Sequence, residues 1–392
     1  MTFSELLEAI NKLPEEERKA LFEASFQSET TETKTLKEDG FLKKNNGEII
    51  SCPHCGSTNI VTHGSKDGKR RYRCKEESCR KTFMEKTGTF FFKSRLSEAE
   101  WRELLRGMVE NQSDTRIANN LGLSPKAIRT NKNKVMEMIA RIDGGQDYFK
   151  AATQSDETFV HISYKGKRDP KFFIYHLRRM PRHHMSRAEK IEYLKKHGLW
   201  EELQQEPEFL EFLLTATKRS ETSLPGTNED SVCVLTAIDD DNNIYIYPVC
   251  LGSMESGHVS EHFEPHFSPK AILITDGNTT YNWFSEETNI LHQVIPADKH
   301  RVGNFNLAGV NSLHSRIKAY YPKEKGNLPA TKYLAIGLMF FRWLDKHKEL
   351  TTDQKVNAIY DMMKQQNTSS TYEEMRHRKL SLDTKGLIPL EV

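Results

Sequence analysis

Four cysteines are crowded into a short stretch of this chain: Cys52-Pro-His-Cys55, then 18 residues, then Cys74-Lys-Glu-Glu-Ser-Cys79. Two short loops that each carry two thiols form the ligand pattern of a tetrahedral zinc site, and four thiolates leave no open coordination position. One such ion organises a fold and performs no reaction. Gly56, after the second cysteine, permits a tight knuckle turn, and Gly64 and Gly68 flank the turn of the intervening hairpin. A domain this short cannot hold a core without the metal. The competing readings are free thiols, or a ligand set that uses His54 or His63. Lys66, Lys69, Arg70, Arg71 and Arg73 crowd the hairpin, a surface suited to phosphates.

A second set of chemistry-bearing residues is dispersed. Asp156 sits in ATQSDETFVHISYKG, on or beside a predicted strand. Asp276 ends Ala271-Ile-Leu-Ile-Thr-Asp276-Gly, a buried-strand pattern that runs into a turn. Two carboxylates at neighbouring strand ends can hold Mg²⁺, and a pair of ions suits in-line phosphoryl displacement. Taken singly, each aspartate reads as a turn cap. The predicted helix VNSLHSRIKAYY adds Asn311, His314 and Lys318 on one face, spaced i, i+3, i+7. Asn311 offers an amide oxygen as a third ligand, with Glu286 or Glu287 as the alternatives. Lys318 can reach a DNA phosphate or base.

Residues 113–136 match a helix-turn-helix. Ile117, Ala118 and Leu121 make one apolar face, Gly122 allows the sharp turn, and Ser124 with Pro125 opens the second helix. That helix is expected to turn Lys126, Arg129, Thr130 and Asn133 outward, residue types that bond base edges or phosphates. The alternative is a helical connector with solvated charges.

These residues need elements to position them. The 392 residues suit two to three domains, and 36% hydrophobic against 29% charged residues describes a water-soluble chain with material for a full core. No window is long and apolar enough to cross a bilayer, and MTFSELLEAINKLPEEER does not read as a signal peptide, so a cytoplasmic protein is expected. The overall charge of +2 conceals a net −4 over residues 1–50, +8 over 51–150 and −2 over the rest. A clustered positive field suits a polyanion.

The expected organisation is a multidomain α+β chain. Residues 1–48 read as an N-terminal helical segment (1–27) and a polar linker, 49–92 as the zinc ribbon, and 93–145 as the helix-turn-helix domain. Strands are predicted at 153–164, 231–238, 244–250, 270–276 and 291–296, with helical patterns at 279–288, 308–321, 329–347 and 352–366. An α/β domain of about 150–350 thus follows, interrupted by a charged insertion near 166–229, and 351–392 form a helical tail. The insertion's basic half, with His183 and His184, is a DNA-contacting candidate, and its acidic half reads as an amphipathic helix. Asp239, Asp240 and Asp241 read as hairpin-turn residues, and Cys233 and Cys250 as buried strand residues. Trp283 reads as core, with stacking on an extruded base as the alternative. His258, His262 and His266 are spaced i, i+4, i+8, but Pro265 interrupts the helix that a second metal site would need.

Taken together, CPHCGS, RYRC and KTF, EKTGTFFFKSRLSEAEW, DET, TDG, GVNSLHSRIK and ATKYLAIGLMFFRW resemble bacterial insertion-sequence transposases of the DDE superfamily. The group in question carries a zinc ribbon and the signature Asp, Asp, Asn, Lys, and the resemblance covers about residues 48–345. It implies an RNase H-like catalytic domain that cuts and joins DNA ends with a two-ion Mg²⁺ site, Mn²⁺ being an alternative, plus one structural Zn²⁺. Asp156 and Asp276 match its metal-binding aspartates, Asn311 its third ligand and Lys318 the basic residue that follows. The implied partners are double-stranded DNA, as inverted repeats and target, and further copies of the chain. The rival functions are a DNA-binding regulator or inactive relic, and a structure-selective nuclease on the same fold.

Overall fold

A computed structural model of the chain describes residues 36–38, 41–43, 49–66, 68–143, 146–182, 184–216, 231–321, 328–366 and 370–385. The helices expected within 1–27, His183, and the end of the insertion lie outside the described residues. The chain divides into two compact units, one reaching Arg95 and the other beginning at Leu96.

The first unit contains strands β1 (Leu36–Glu38), β2 (Phe41–Lys43), β3 (Ile60–Lys66), β4 (Lys69–Cys74) and β5 (Thr82–Met84). β1 and β2 form an antiparallel pair, and β3-β4-β5 an antiparallel three-stranded sheet. Leu42, Ile50, Cys52, Ile60, Tyr72, Cys74 and Phe83 make its small core. Part of the segment read as a polar linker is therefore structural. Leu36–Glu38 pairs with Phe41–Lys43, and Leu42 joins the small core.

The second unit begins with α1 (Glu98–Val109), α2 (Asp114–Leu121) and α3 (Pro125–Ile142). The local signals act as expected. Ser113 and Ser124 accept hydrogen bonds from the backbone N–H groups of Arg116 and Ala127, and Gly122 ends α2 at φ +62°.

Strand β6 (Ala152–His161) follows. The insertion then supplies a π-helical turn at Phe172–His176, α4 (Arg187–Lys196), α5 (Trp200–Leu203) and α6 (Pro207–Thr215). It holds a satellite core of Ile174, Met180, Leu194, Leu199, Leu203 and Leu213. Lys190 is buried there, and its Nζ donates to the carbonyls of Leu213, Leu214 and Ala216 at 2.8–3.1 Å, capping α6.

Next come β7 (Ser231–Asp239), β8 (Ile244–Leu251), α7 (Ser256–Phe263), β9 (Ile272–Thr275), α8 (Thr280–Thr288) and β10 (Leu291–Val294). A short pair, β11 (Arg301–Val302) and β12 (Phe305–Asn306), precedes α9 (Ala308–Tyr320), α10 (Leu334–Lys346), α11 (Thr352–Gln365) and α12 (Tyr372–Arg376). The mixed five-stranded sheet has the order β10-β9-β6-β7-β8. β7 runs antiparallel to both neighbours, while β9 and β10 run parallel to β6 and to each other.

β7 is buried along its whole length and serves both faces. Val232 and Val234 pack with Val310, Leu313 and Ile317 of α9 and Leu338 of α10. Cys233 and Leu235 pack with Val259, Tyr281 and Phe284 of α7 and α8. Both isolated cysteines are thus core residues. Asp239 accepts backbone N–H bonds from Asp241 and Asn243, so this run is a turn.

The outer edge of β8 is covered rather than open. The Gln146 side chain bonds both the N–H and the C=O of Ile246, and Asp147 accepts from the N–H of Ile244. Further along, the backbone of Asp383 pairs with Val249 and Leu251, so this part of the tail joins the sheet edge. Arg342, 1% exposed, donates to the Ile244 carbonyl and pairs with Asp143 and Asp147, which also receives Lys346. Removing one member of a buried charge cluster of this kind costs about 3–5 kcal/mol.

Candidate zinc centre and acidic site

The two cysteine loops fold as matching knuckles. Gly56 N–H donates to the Cys52 carbonyl at 2.8 Å, and Gly56 takes φ +76°. In the second loop Arg80 N–H donates to the Glu76 carbonyl at 3.0 Å, and Arg80 occupies the same left-handed region at φ 46°. All four Sγ atoms lie within 4.8 Å of one another. Cys52 and Cys79 are 3.8 Å apart and Cys55 and Cys74 3.6 Å apart. Tetrahedral ligands about 2.3 Å from zinc are separated by about 3.8 Å, so the donor set fits one zinc ion. Neither His54 nor His63 belongs to the cluster. Lys69, Arg70 and Arg73 are exposed on the adjoining β4, and Arg71 donates to Thr82.

The acidic site assembles where β6, β7, β9 and α9 meet. β6 and β9 pair through Gln154↔Ile274, and carrying that register two residues further sets Asp156 level with Asp276. Burial, then the charges of Glu157 and Asp276, push the Asp156 carboxyl up to about 7, against the opposing pull of Lys318. Crowded negative charge of this kind is what a divalent cation relieves, so the carboxylates suit Mg²⁺ or a similar ion. Asp276 Oδ1 accepts the N–H of Asn278 and shapes the turn that follows.

Glu157 faces the opposite side of β6 from Asp156. It accepts from Asn278 Nδ2 at 2.7 Å and Tyr281 OH at 2.9 Å. Burial raises its carboxyl, while these two donors oppose the rise. Glu157 therefore ties the turn after Asp276 to the strand that carries Asp156. Gln154, on the Asp156 face, accepts the N–H groups of Gly309 and Val310 at 2.8 and 3.2 Å and caps α9. A Cβ on Gly309 would stand 3.0 Å from that amide oxygen, so glycine allows the close approach.

α9 brings His314 against the acid. Its Nδ1 lies 3.8 Å from Asp156 Oδ2 and its Nε2 is 2.7 Å from Thr236 Oγ1. Burial, then Lys318, lower the imidazole to about 4, so it is neutral. Asn311, one turn earlier, and Lys318, one turn later, are exposed on the same helix. Glu286 and Glu287 are exposed on α8, and Glu287 accepts from Ser260.

Sequence reasoning missed Gln154, Glu157, Thr236 and Asn278 and gave His314 no task. Only Glu157 carried a signal, as a second acid beside Asp156. Trp283 is 53% exposed, so it is a surface residue and not core. Of the histidine trio, His258 bonds Asp383 and His262 bonds Tyr245. Among the described residues, only the four cysteines form a group of three or more Cys, His, Asp or Glu ligands this tight.

The second helix of the helix-turn-helix differs from expectation at one position. Asn133 is buried on a helix against which α10 packs, and it lines a cavity together with Phe340 of α10. Lys126 lies over the Tyr372 ring and Thr130 bonds back to the Lys126 carbonyl. Arg129 and Lys132 both pair with Asp114, lining a cavity of about 360 Å³ with Lys165, Tyr320 and Tyr321.

No described protein family matches the sequence. An uncharacterized protein in transposable element ISH50 of Halobacterium salinarum is 24% identical over 119 residues. That match covers 30% of this chain and 39% of the relative, so it spans well under half of the relative's length. Among solved structures, a chain of a pre-cleavage Mos1 transpososome is similar at TM-score 0.23 and 11% identity, over 69% of this chain and 76% of that one. At that score the likeness does not fix a fold. Among the described residues no helix is long and apolar enough to cross a membrane. The chain is thus an α+β protein with a mixed five-stranded sheet, a four-cysteine cluster and a distant relative in a transposable element.

Proposed function

We propose that the chain is a DNA transposase that binds the inverted repeats of its own element, cleaves the DNA ends and transfers them into a target. What supports this reading is the placement of Asp156 on the central strand β6 level with Asp276 just past β9 when their parallel register is extended, with the charges of Asp276 and of Lys318 on α9 both felt at Asp156. The order β10-β9-β6-β7-β8 with β7 reversed is that of an RNase H-like sheet, and the relative in ISH50 agrees with a mobile element. Asp156 and Asp276 hold the divalent ions, Asn311 adds a neutral oxygen, and Lys318 grips the terminal phosphate. Bound ions supply activation of the attacking water or 3′-OH and stabilisation of the leaving oxygen. The chain's own residues fix the geometry: Glu157 secures the Asp276 turn, and Gln154 seats the start of α9.

The zinc ribbon presents Lys69, Arg70, Arg71 and Arg73 to phosphates, and Lys126, Arg129 and Thr130 lie in the first turns of the α3 recognition helix. Several copies assemble on the paired ends. Incubating the full chain with its cognate ends, a target duplex and Mg²⁺ tests the reading. Joined products that require the terminal repeats support it. Cutting of branched DNA without regard to sequence marks a structure-selective nuclease instead, and DNA binding without cutting marks a regulator.

A further inference from the structure

The Thr236 hydroxyl decides how His314 presents itself. Thr236 Oγ1 lies 2.7 Å from the Asp156 main-chain carbonyl and 2.7 Å from His314 Nε2. A carbonyl only accepts, so the single hydroxyl hydrogen is committed to it. His314 Nε2 must then be the donor in the second bond, which leaves the lone pair on Nδ1. His314 is 7% exposed, and the hydrogen bond its ring makes to Thr236 is through Nε2. Nδ1 faces Asp156 Oδ2 across 3.8 Å. The gap is too long for a hydrogen bond. It is shorter than two metal–ligand bonds laid end to end, about 4.2 Å, so one ion can touch both atoms.

We propose that His314 Nδ1 is a metal ligand alongside Asp156, held in its acceptor tautomer by Thr236. The acidic site is then a mixed nitrogen and oxygen site. It takes a first-row transition ion such as Mn²⁺ more tightly than Mg²⁺, which prefers all-oxygen ligands. Thr236 acts as a positioning residue, its hydroxyl oxygen accepting the Nε2–H of a ligating imidazole and so orienting the ring. The inference rests on the reading of Asp156 as a metal ligand.

The test is Mn²⁺ titration of the full-length, zinc-loaded chain, with pulsed EPR to detect ¹⁴N coupled to the bound ion. The expected result is a nitrogen signal that disappears in His314→Gln, with Mn²⁺ affinity falling about tenfold or more. Mg²⁺ affinity should fall less, because Mg²⁺ gains less from the nitrogen. In Thr236→Val the imidazole loses its anchor, and Mn²⁺ affinity should drop by about tenfold. This second variant, with the wild-type spectrum, decides the matter if His314→Gln does not fold. Mn²⁺ that depends on Asp156, lost in Asp156→Asn, but shows no ¹⁴N coupling overturns the His314 assignment and leaves the acidic site standing. Wild-type chain that binds no Mn²⁺, or binds it equally well as Asp156→Asn, overturns both.

Discussion

The cysteine cluster and the acidic site of this chain are built on opposite plans. The cysteine cluster draws all four ligands from one short stretch, brings them within 4.8 Å of each other and leaves no vacancy. The acidic site collects Asp156, Asp276 and His314 from β6, the end of β9 and α9, and stays open toward Asn311 and Lys318, both exposed. The first plan suits a metal that replaces a hydrophobic core. The second suits metals that must meet a substrate. The cysteine cluster sits in a unit with a small core, whereas the acidic site is shaped by a sheet packed on both faces.

That contrast predicts a graded set of failures. The largest belongs to Cys74→Ser or chelation: the first unit loses its zinc and its fold together, because the ion contributes on the order of 10 kcal/mol to structural sites of this type. Metal analysis with limited proteolysis of the full chain should show zinc gone and residues 49–92 cut, and retained zinc with protease resistance would remove the distinction. Next come Asp156→Asn and Asp276→Asn. Each should lower end cleavage by about a thousandfold or more, while thermal stability and end binding hold, because the sheet is packed on both faces. Cleavage assays beside gel-shift binding check this.

Glu157→Gln should rank third. The variant keeps an acceptor for Tyr281 but presents an amide N–H₂ where Asn278 donates, loosening the turn after Asp276. A cleavage loss of about 10- to 100-fold is expected, the usual scale for groups that orient ligands, and single-turnover kinetics would reveal it. The smallest effect is assigned to Asn311→Ala, at about tenfold or less, since a neutral oxygen holds a divalent ion less firmly than a carboxylate. Full activity in Asn311→Ala together with inactivity in Glu286→Gln or Glu287→Gln would instead move the third ligand to α8.

The same contrast explains what was legible. The zinc ligands could be read because a knuckle is local: spacing and one glycine define it. The strands and most helices followed their periodicity closely, and Pro265 does end α7, with one 3-10 turn at Glu264–His266 beyond it. The aspartates were proposed from their strand ends and the resemblance. Their supports were not, because Glu157 meets partners 121 and 124 residues away, and Thr236 earns its role only by standing opposite Asp156 in the sheet. Asn133 failed for a related reason: helical periodicity identifies one buried face of α3 and is silent about the packing of α10 against that helix. Leu42 was hidden because three apolar residues in a polar stretch carry no period at all.

The side chains of Gln146 and Asp147, which complete the β8 edge, together with the buried Arg342 anchor, have a mechanical consequence. Asp143 at the end of α3 is tied through Arg342 to the same sheet edge that Gln146 and Asp147 cover, so the helix end and the sheet share one set of contacts. Under the proposed function, those contacts would make the separation between the first turn of α3 and Asp156 a gauge. On that reading, a duplex seated on that turn would present the same phosphate to the carboxylates each time, and adjustment in reach would come from bending of the DNA. Cutting position would then be measured by the protein's own rigidity. Loosening those contacts, for instance with Gln146→Ala and Asp147→Ala together, would blur the cut over neighbouring phosphates before it slowed the reaction.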